Sequence, residues 1–412
     1  MTKRAEATRH WLIERRLRVY PRLLLGVLAV AIPVYARTFH DGVDGRGQSV
    51  GSDFIAFWSA ARLAVEGHGS WAWDVHRLAS DEFAAFPGLA GPTAWVYPPA
   101  TLVVVAPLGY LSHTAAFLVW TAVGLGVFYA ALGPIIRGQR YAWPLAVAFP
   151  GVWLGIAQGQ TQFVVAGLVG GALLLLDRRQ WWAGVLIGLL VIKPHLAVLF
   201  PVILVAGRRW GTFAVAAVTA LGAMAVGALV FGFGSIRLWL DGMGLVGAAV
   251  NAGALPVDKF VTPYAAFRLV GLPQGAALAL HGLVALGVVL VVWRVWGRTS
   301  DLRLRGSAVV LGTFLVTPYA ADYDLALLAF PIAWLALLGL ENGWLRGDRN
   351  LLALAWVLPW LAAPIAATTH IVVTPLLLAC LLRQVWRRTA PWPAAYGTGP
   401  VPTTRSGRAP RP

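Results

Sequence analysis

The chain is 412 residues long, 58% hydrophobic and only 12% charged, with a mean hydropathy of +0.71 and a formal net charge of +16. Apolar runs of membrane length recur from Pro21 to Leu382, which excludes a soluble globular domain and indicates an all-α polytopic membrane protein. The 33 Lys and Arg sit in short clusters between those runs and in both tails, a spread that fits membrane topology and surface contact rather than a nucleic-acid stripe.

Residues 1–20 are strongly basic and lead into an apolar run without a small-residue cleavage site, so they read as a cytoplasmic N-terminal anchor and not as a signal peptide. A single membrane-embedded domain is expected over 21–388. Seven basic clusters, from 15–22 to 383–388, belong on the cytoplasmic side, and this requires an odd number of crossings between the first external loop and Arg137. The apolar run at 98–111 therefore reads as an interfacial or re-entrant helix, with Pro99 tolerated near its start.

The remaining spans are then 21–36, 113–136, 141–157, 162–176, 181–192, 195–206, 211–233, 275–296, 306–320, 323–340, 350–367 and 370–382, about twelve, with both termini cytoplasmic. The pairs in 181–206 and 350–382 are short for two crossings each, since one takes ~20 residues, and read as half-helices meeting inside the protein. Two long external loops are predicted, 37–112 and 234–274. The first carries interfacial helices and is acidic, with Asp41, Asp44, Asp53, Glu66, Asp74, Asp81 and Glu82 against four Arg. The tail at 389–412, rich in Pro, Gly and Thr, is expected to be disordered and cytoplasmic. Cys380 is the sole cysteine, which excludes an intramolecular disulfide and a thiolate metal site.

No P-loop, dinucleotide-binding glycine pattern, HExxH or nucleophile elbow is present. What remains is a set of polar residues at the predicted external helix ends: Asp53, Tyr97, Gln160 and Gln162 of "GQTQ", Lys193 and His195 of "KPH", and Asp322, Tyr323 and Asp324 of "TPYAADYD". An ionisable group at mid-membrane costs ~2.5–3.5 kcal/mol. Several at one depth therefore point to a polar cavity.

Each residue has a structural reading beside the functional one. Asp53 is placed either as a partly desolvated base or, with Ser52 as the other candidate, as the cap of the helix "FIAFWSAARLAVEG". Lys193 is a donor-phosphate ligand or a lysine in a structural ion pair, and His195 a ligand or a hydrogen-bonded core residue. Gln160 and Gln162 either bind sugar hydroxyls or simply form a turn. Asp322 and Asp324 either share a divalent cation or cap the helix that begins there.

The "SDF" aspartate after the first span, the "YPP" some 45 residues later, "GQTQF", "AGVLIGLLVIKPHLAVLFPVIL" and "TPYAADYDLALLAFP" occur in an order that resembles the bacterial polyprenyl-phosphate-mannose-dependent mannosyltransferases, typified by the phosphatidylinositol mannoside mannosyltransferases. The resemblance runs from about Asp53 to Pro331 and implies a GT-C glycosyltransferase-like fold in a bacterial inner membrane. It implies transfer of a hexose, mannose by expectation, from a polyprenyl-phosphate sugar to a glycolipid or glycan acceptor on the external face, with inversion and with Asp53 as the essential residue. It implies no cofactor beyond that donor substrate, and a divalent cation is not expected. Where that family often has histidines after "SP", Tyr323 and Asp324 stand in this chain. The competing class is a lipid or solute transporter or flippase, which would also have broken helices and a mid-membrane Lys, but no repeated half is detectable. A noncatalytic scaffold of an envelope-assembly complex is the third class.

Overall fold

The computed structural model describes residues 11–252 and 256–389. Those residues are all-helical, joined by turns and three isolated β-bridges. Six helices are long and apolar enough to cross a membrane: Glu14–Ala36, His113–Ile136, Trp210–Phe231, Gln274–Arg298, Asp322–Asn342 and Asp348–Thr369. The chain is a multi-pass membrane protein on this ground. The other expected spans take the form of shorter helices, among them Ala142–Gln158, Gln162–Leu175, Gln180–Ile192 and Pro194–Ala206. At 1.5 Å per residue, a 14-residue helix rises ~21 Å, less than the ~30 Å of a hydrocarbon core. Twelve apolar runs therefore do not translate into twelve full-length helices.

The breaks have local causes. Gly159 closes the helix Pro150–Gln158 in the left-handed conformation at φ 70°. Pro194 follows Lys193, and the chain passes through two single turns of 3₁₀ helix before Leu199–Ala206 begins. The first helix starts at Glu14, seven residues before the expected boundary, and the segment 234–274 is largely helical, with Gly234–Asn251 and Pro263–Leu269. The tail expected to be disordered lies, apart from Thr389, outside the described residues.

The larger core gathers around helix Leu302–Val316, in which every residue from Gly306 to Leu315 is buried. A helix apolar on all sides belongs at such a centre. Gln162–Leu175, Gln274–Arg298, Ala329–Asn342 and Thr374–Thr389 pack around it. A second core lies in the first loop region, where Phe54, Phe57, Trp58, Trp73, Trp95, Tyr97, Phe117 and Trp120 interlock. The Phe57 ring lies tilted against Tyr97, 4.8 Å between centroids, and edge-to-face with Trp95 at 5.2 Å. This aromatic cluster fixes helix Phe54–Val65, and with it Asp53, onto the membrane bundle through Phe117 and Trp120 of helix His113–Ile136.

Helices Gln180–Leu189 and Trp210–Phe231 cross in close contact at Gly184 and Gly188, a small-xxx-small pair. A Cβ at Gly188 would lie 2.5 Å from Thr219 Cβ and 2.6 Å from the Ala216 carbonyl oxygen. Gly188→Val is expected to force the helices apart and to destabilise the protein by roughly 1–3 kcal/mol, read as a lower melting temperature of the purified protein in mild detergent. An unchanged melting temperature would show that the crossing is not close-packed.

Candidate active site

The turn before helix Phe54–Val65 docks on the end of helix Pro150–Gln158. The Ser52 N–H donates to the Ala157 carbonyl at 3.1 Å, and the Asp53 N–H to the Gln158 carbonyl at 3.0 Å. Close approach requires glycine on both sides. A Cβ on Gly51, at φ 66°, would fall 2.5 Å from the Phe117 ring, and one on Gly159 would fall 2.7 Å from Phe54 Cβ.

Asp53 occupies the N-cap position, but its side chain accepts no hydrogen bond from the helix it precedes. Its carboxylate instead accepts from Gln160 Nε2 at 2.9 Å and from Ser52 Oγ at 3.2 Å. Gln160 in turn accepts from the Tyr97 hydroxyl. Asp53 is half-buried, so its carboxylate stands at the edge of a polar cluster and within reach of a ligand. The capping alternative raised by the sequence is not what this side chain does.

Tyr97 is held by its surroundings. Trp73 Nε1 donates to its carbonyl at 2.9 Å, and its ring lies among Phe57 and Trp95. Burial first, and the nearby Asp324 and Asp53 carboxylates second, push its phenol well above the ordinary tyrosine range. It thus stays protonated and donates its hydrogen to Gln160.

The second half of the cluster is an ion pair. Lys193 Nζ donates to Asp324 Oδ1 at 2.6 Å, with the two side chains 5% and 0% exposed. The ammonium also sits 4.5 Å above the Tyr323 ring. Asp324 Oδ2 accepts from the Ala321 N–H at 3.1 Å, so this carboxylate both caps its own helical turn and neutralises the lysine. Asp322 accepts from Gln158 Nε2 at 3.2 Å and from the Tyr323 N–H at 2.8 Å. Gln158 therefore joins the two halves, its backbone carbonyl on Asp53 and its side-chain amide on Asp322.

Of the residues singled out from sequence, Asp53, Tyr97, Gln160, Lys193, Asp322, Tyr323 and Asp324 come together. Gln162 and His195 make no hydrogen bond into that cluster among the described residues. Gln162 is fully buried against Gly155 and Phe163, and His195 Nε2 has no hydrogen-bond partner among the described residues. No three His, Cys, Asp or Glu side chains among the described residues converge as metal ligands, and Asp324, offered for a cation together with Asp322, is engaged by Lys193.

Sequence reasoning weighed Ser52 only as a possible helix cap and missed Gln158, two residues before Gln160. It also missed Lys259. An antiparallel bridge pairs Phe260 with Ala321, and the Val261 N–H donates to the Ala320 carbonyl at 2.9 Å, which sets the exposed Lys259 beside the strand-like segment leading into Asp322. No sequence pattern around Lys259 announces that pairing.

Beyond the cluster, buried Glu82 fastens the segment leading to Tyr97. Its carboxylate accepts from the Thr93 N–H at 2.8 Å and from the Thr93 hydroxyl. Burial pushes the Glu82 carboxyl up to about 7, against the opposing effect of the Thr93 hydrogen bonds.

A family model, glycosyltransferase family 87, matches residues 95–318 of the chain. The matched stretch contains Tyr97, Gln160, Gln162, Lys193 and His195, whereas Asp53, Asp322, Tyr323 and Asp324 lie outside it. No curated protein and no solved structure matches the chain.

Two outcomes follow from this geometry. Asp324→Asn leaves a buried ammonium without its counter-ion and is expected to destabilise the protein by about 3–5 kcal/mol; Lys193→Met combined with Asp324→Leu should recover much of that loss in a thermal melt. Glu82 holds a proton in the folded protein that the unfolded chain releases above its ordinary value of 4.5. Its contribution is therefore greatest below about pH 4.5 and is lost as pH rises through about 7. A melting temperature that falls between pH 5 and pH 8 in wild type, by up to about 3 kcal/mol of stability, and falls less in Glu82→Gln, is the expected pattern; parallel curves for the two proteins would contradict it.

Proposed function

This chain belongs to glycosyltransferase family 87, and on that premise we propose that it transfers a hexose, mannose in our reading, from a polyprenyl-phosphate donor to a glycolipid or glycan acceptor. The observation that carries this reading is the Asp53 carboxylate, turned away from the helix it could cap and presented beside Gln160 at the edge of a buried polar cluster. A membrane glycosyltransferase needs a base at such a place. The acceptor hydroxyl attacks the anomeric carbon while its proton passes to Asp53. The bond from that carbon to the phosphate oxygen breaks, the polyprenyl phosphate leaves with the electron pair, and the configuration inverts.

Gln160 orients the carboxylate, and protonated Tyr97 orients Gln160. The departing phosphate calls for a cation. Lys193 can reach it only by giving up Asp324, at the cost of a buried unpaired carboxylate. Lys259 is exposed and has no ion-pair partner among the described residues, so it meets the phosphate without that penalty. The donor lipid enters from the bilayer and the acceptor from the external face of a bacterial inner membrane, with both termini cytoplasmic and no cofactor beyond the donor.

The experiment is transfer of labelled mannose from polyprenyl-phosphate-mannose by the purified chain with a membrane lipid extract as acceptor. Wild type should form product, and Asp53→Asn at an unchanged melting temperature should lose on the order of 10²–10⁴ in rate. Equal product from both proteins would remove Asp53 from the mechanism. Product from polyprenyl-phosphate-glucose but not from the mannose donor would change the sugar and leave the base in place.

A further inference from the structure

On the face opposite the candidate site, a cavity of about 640 Å³ opens between the start of helix Glu14–Ala36 and the turn that follows helix His113–Ile136. It is lined by Arg18, Val19, Arg22, Leu23, Arg140 and Tyr141. Three arginines thus line one space, and none of them pairs with a carboxylate among the described residues. Glu14, one turn before Arg18, is engaged by the Tyr141 hydroxyl. The Arg22 guanidinium reaches back to the Arg18 carbonyl, and Arg140 lies 5.5 Å from the centre of the Tyr141 ring.

Like charges at i and i+4, as Arg18 and Arg22 are, repel on a helix, and a third cation from another segment adds to the repulsion. An anion in the cavity turns that repulsion into attraction, with guanidinium forks suited to phosphate oxygens. The walls beside the arginines are apolar. Val19 and Leu23 line the cavity, and the helix continues with Val27, Val30 and Val34 exposed on its surface. The ligand that matches both halves has a phosphate at one end and hydrocarbon at the other.

We propose that this cavity binds the phosphate of an anionic glycerophospholipid from the leaflet on that face, and that the bound lipid ties helix Glu14–Ala36 to the turn at 137–141. The site is separate from the transfer chemistry. It lies at the far end of helix His113–Ile136 from His113, whose ring packs against Phe54 next to Asp53.

The test uses the full chain in nanodiscs of equal phosphatidylglycerol and phosphatidylcholine, transferred to detergent and weighed intact by native mass spectrometry. Wild type is expected to retain phosphatidylglycerol over phosphatidylcholine by at least about tenfold, and Arg18→Gln with Arg22→Gln and Arg140→Gln to lose that preference. Arg140→Gln alone, on an exposed turn, covers the case in which the triple variant does not fold, and should lower the preference about threefold. Equal retention of the two lipids by wild type, or an undiminished preference in Arg140→Gln, would overturn the proposal. Inorganic phosphate that raises the melting temperature of delipidated protein as much as phosphatidylglycerol does would assign the cavity to a free anion and overturn the lipid source.

Discussion

The pair between Lys193 and Asp324 is the contact on which the polar interior rests. Two charges have been taken out of water, at a penalty of several kcal/mol per ion, and are kept only by close geometry and by filling the remaining hydrogen-bond capacity. Both requirements are met from chain breaks: Lys193 sits between two short turns of helix, and Asp324 lies in the first turn after the extended segment that ends at Ala321. The breaks and the ion pair explain each other, because the pair holds together two segments that backbone hydrogen bonding alone leaves open.

The catalytic candidate depends on that pair indirectly. Asp322 and Tyr323 are held by the same turn as Asp324, Gln158 links Asp322 to the Asp53 backbone, and Gln160 reaches from the following turn to the Asp53 side chain. Segments distant in sequence therefore meet through two glutamines that flank Gly159. The aromatic packing of Phe54, Phe57, Trp95 and Tyr97 supplies rigidity from the other side. A carboxylate held by one neutral amide and one hydroxyl group has no cationic partner to displace when a ligand approaches.

Much of this was legible in the sequence, for physical reasons that apply residue by residue. An Asp, a Lys and a "DYD" inside strongly apolar surroundings stand out because membrane insertion penalises them unless they are paired. Their partners stand out less. Gln158 and Gln160 look alike on paper, as do Gln160 and Gln162, and only the helix end at Gly159 decides that Gln160 turns toward Asp53 while Gln162 turns into the core. Whether Asp53 caps its helix was open in the sequence, because a cap and a base ask for the same residue at the same helical position. Helix lengths were the other weak point: apolar composition marks a segment as buried or lipid-facing, but Gly and Pro contacts determine where each helix stops. The pairing of Phe260 with Ala321 joins segments some 60 residues apart and leaves no local trace.

Helix Glu14–Ala36 has Pro21 as its only buried residue, and its fastenings to the rest of the protein are side-chain hydrogen bonds near its two ends, from the Tyr141 hydroxyl to Glu14 and from the Tyr35 hydroxyl to Asp44. Along the stretch between, Leu23, Val27, Val30 and Val34 are largely exposed. In a bilayer that exposed surface is wetted by acyl chains, which take the place of protein neighbours along it. Membrane thickness and fluidity then act directly on how this helix is held, and detergent extraction replaces a part of its natural packing.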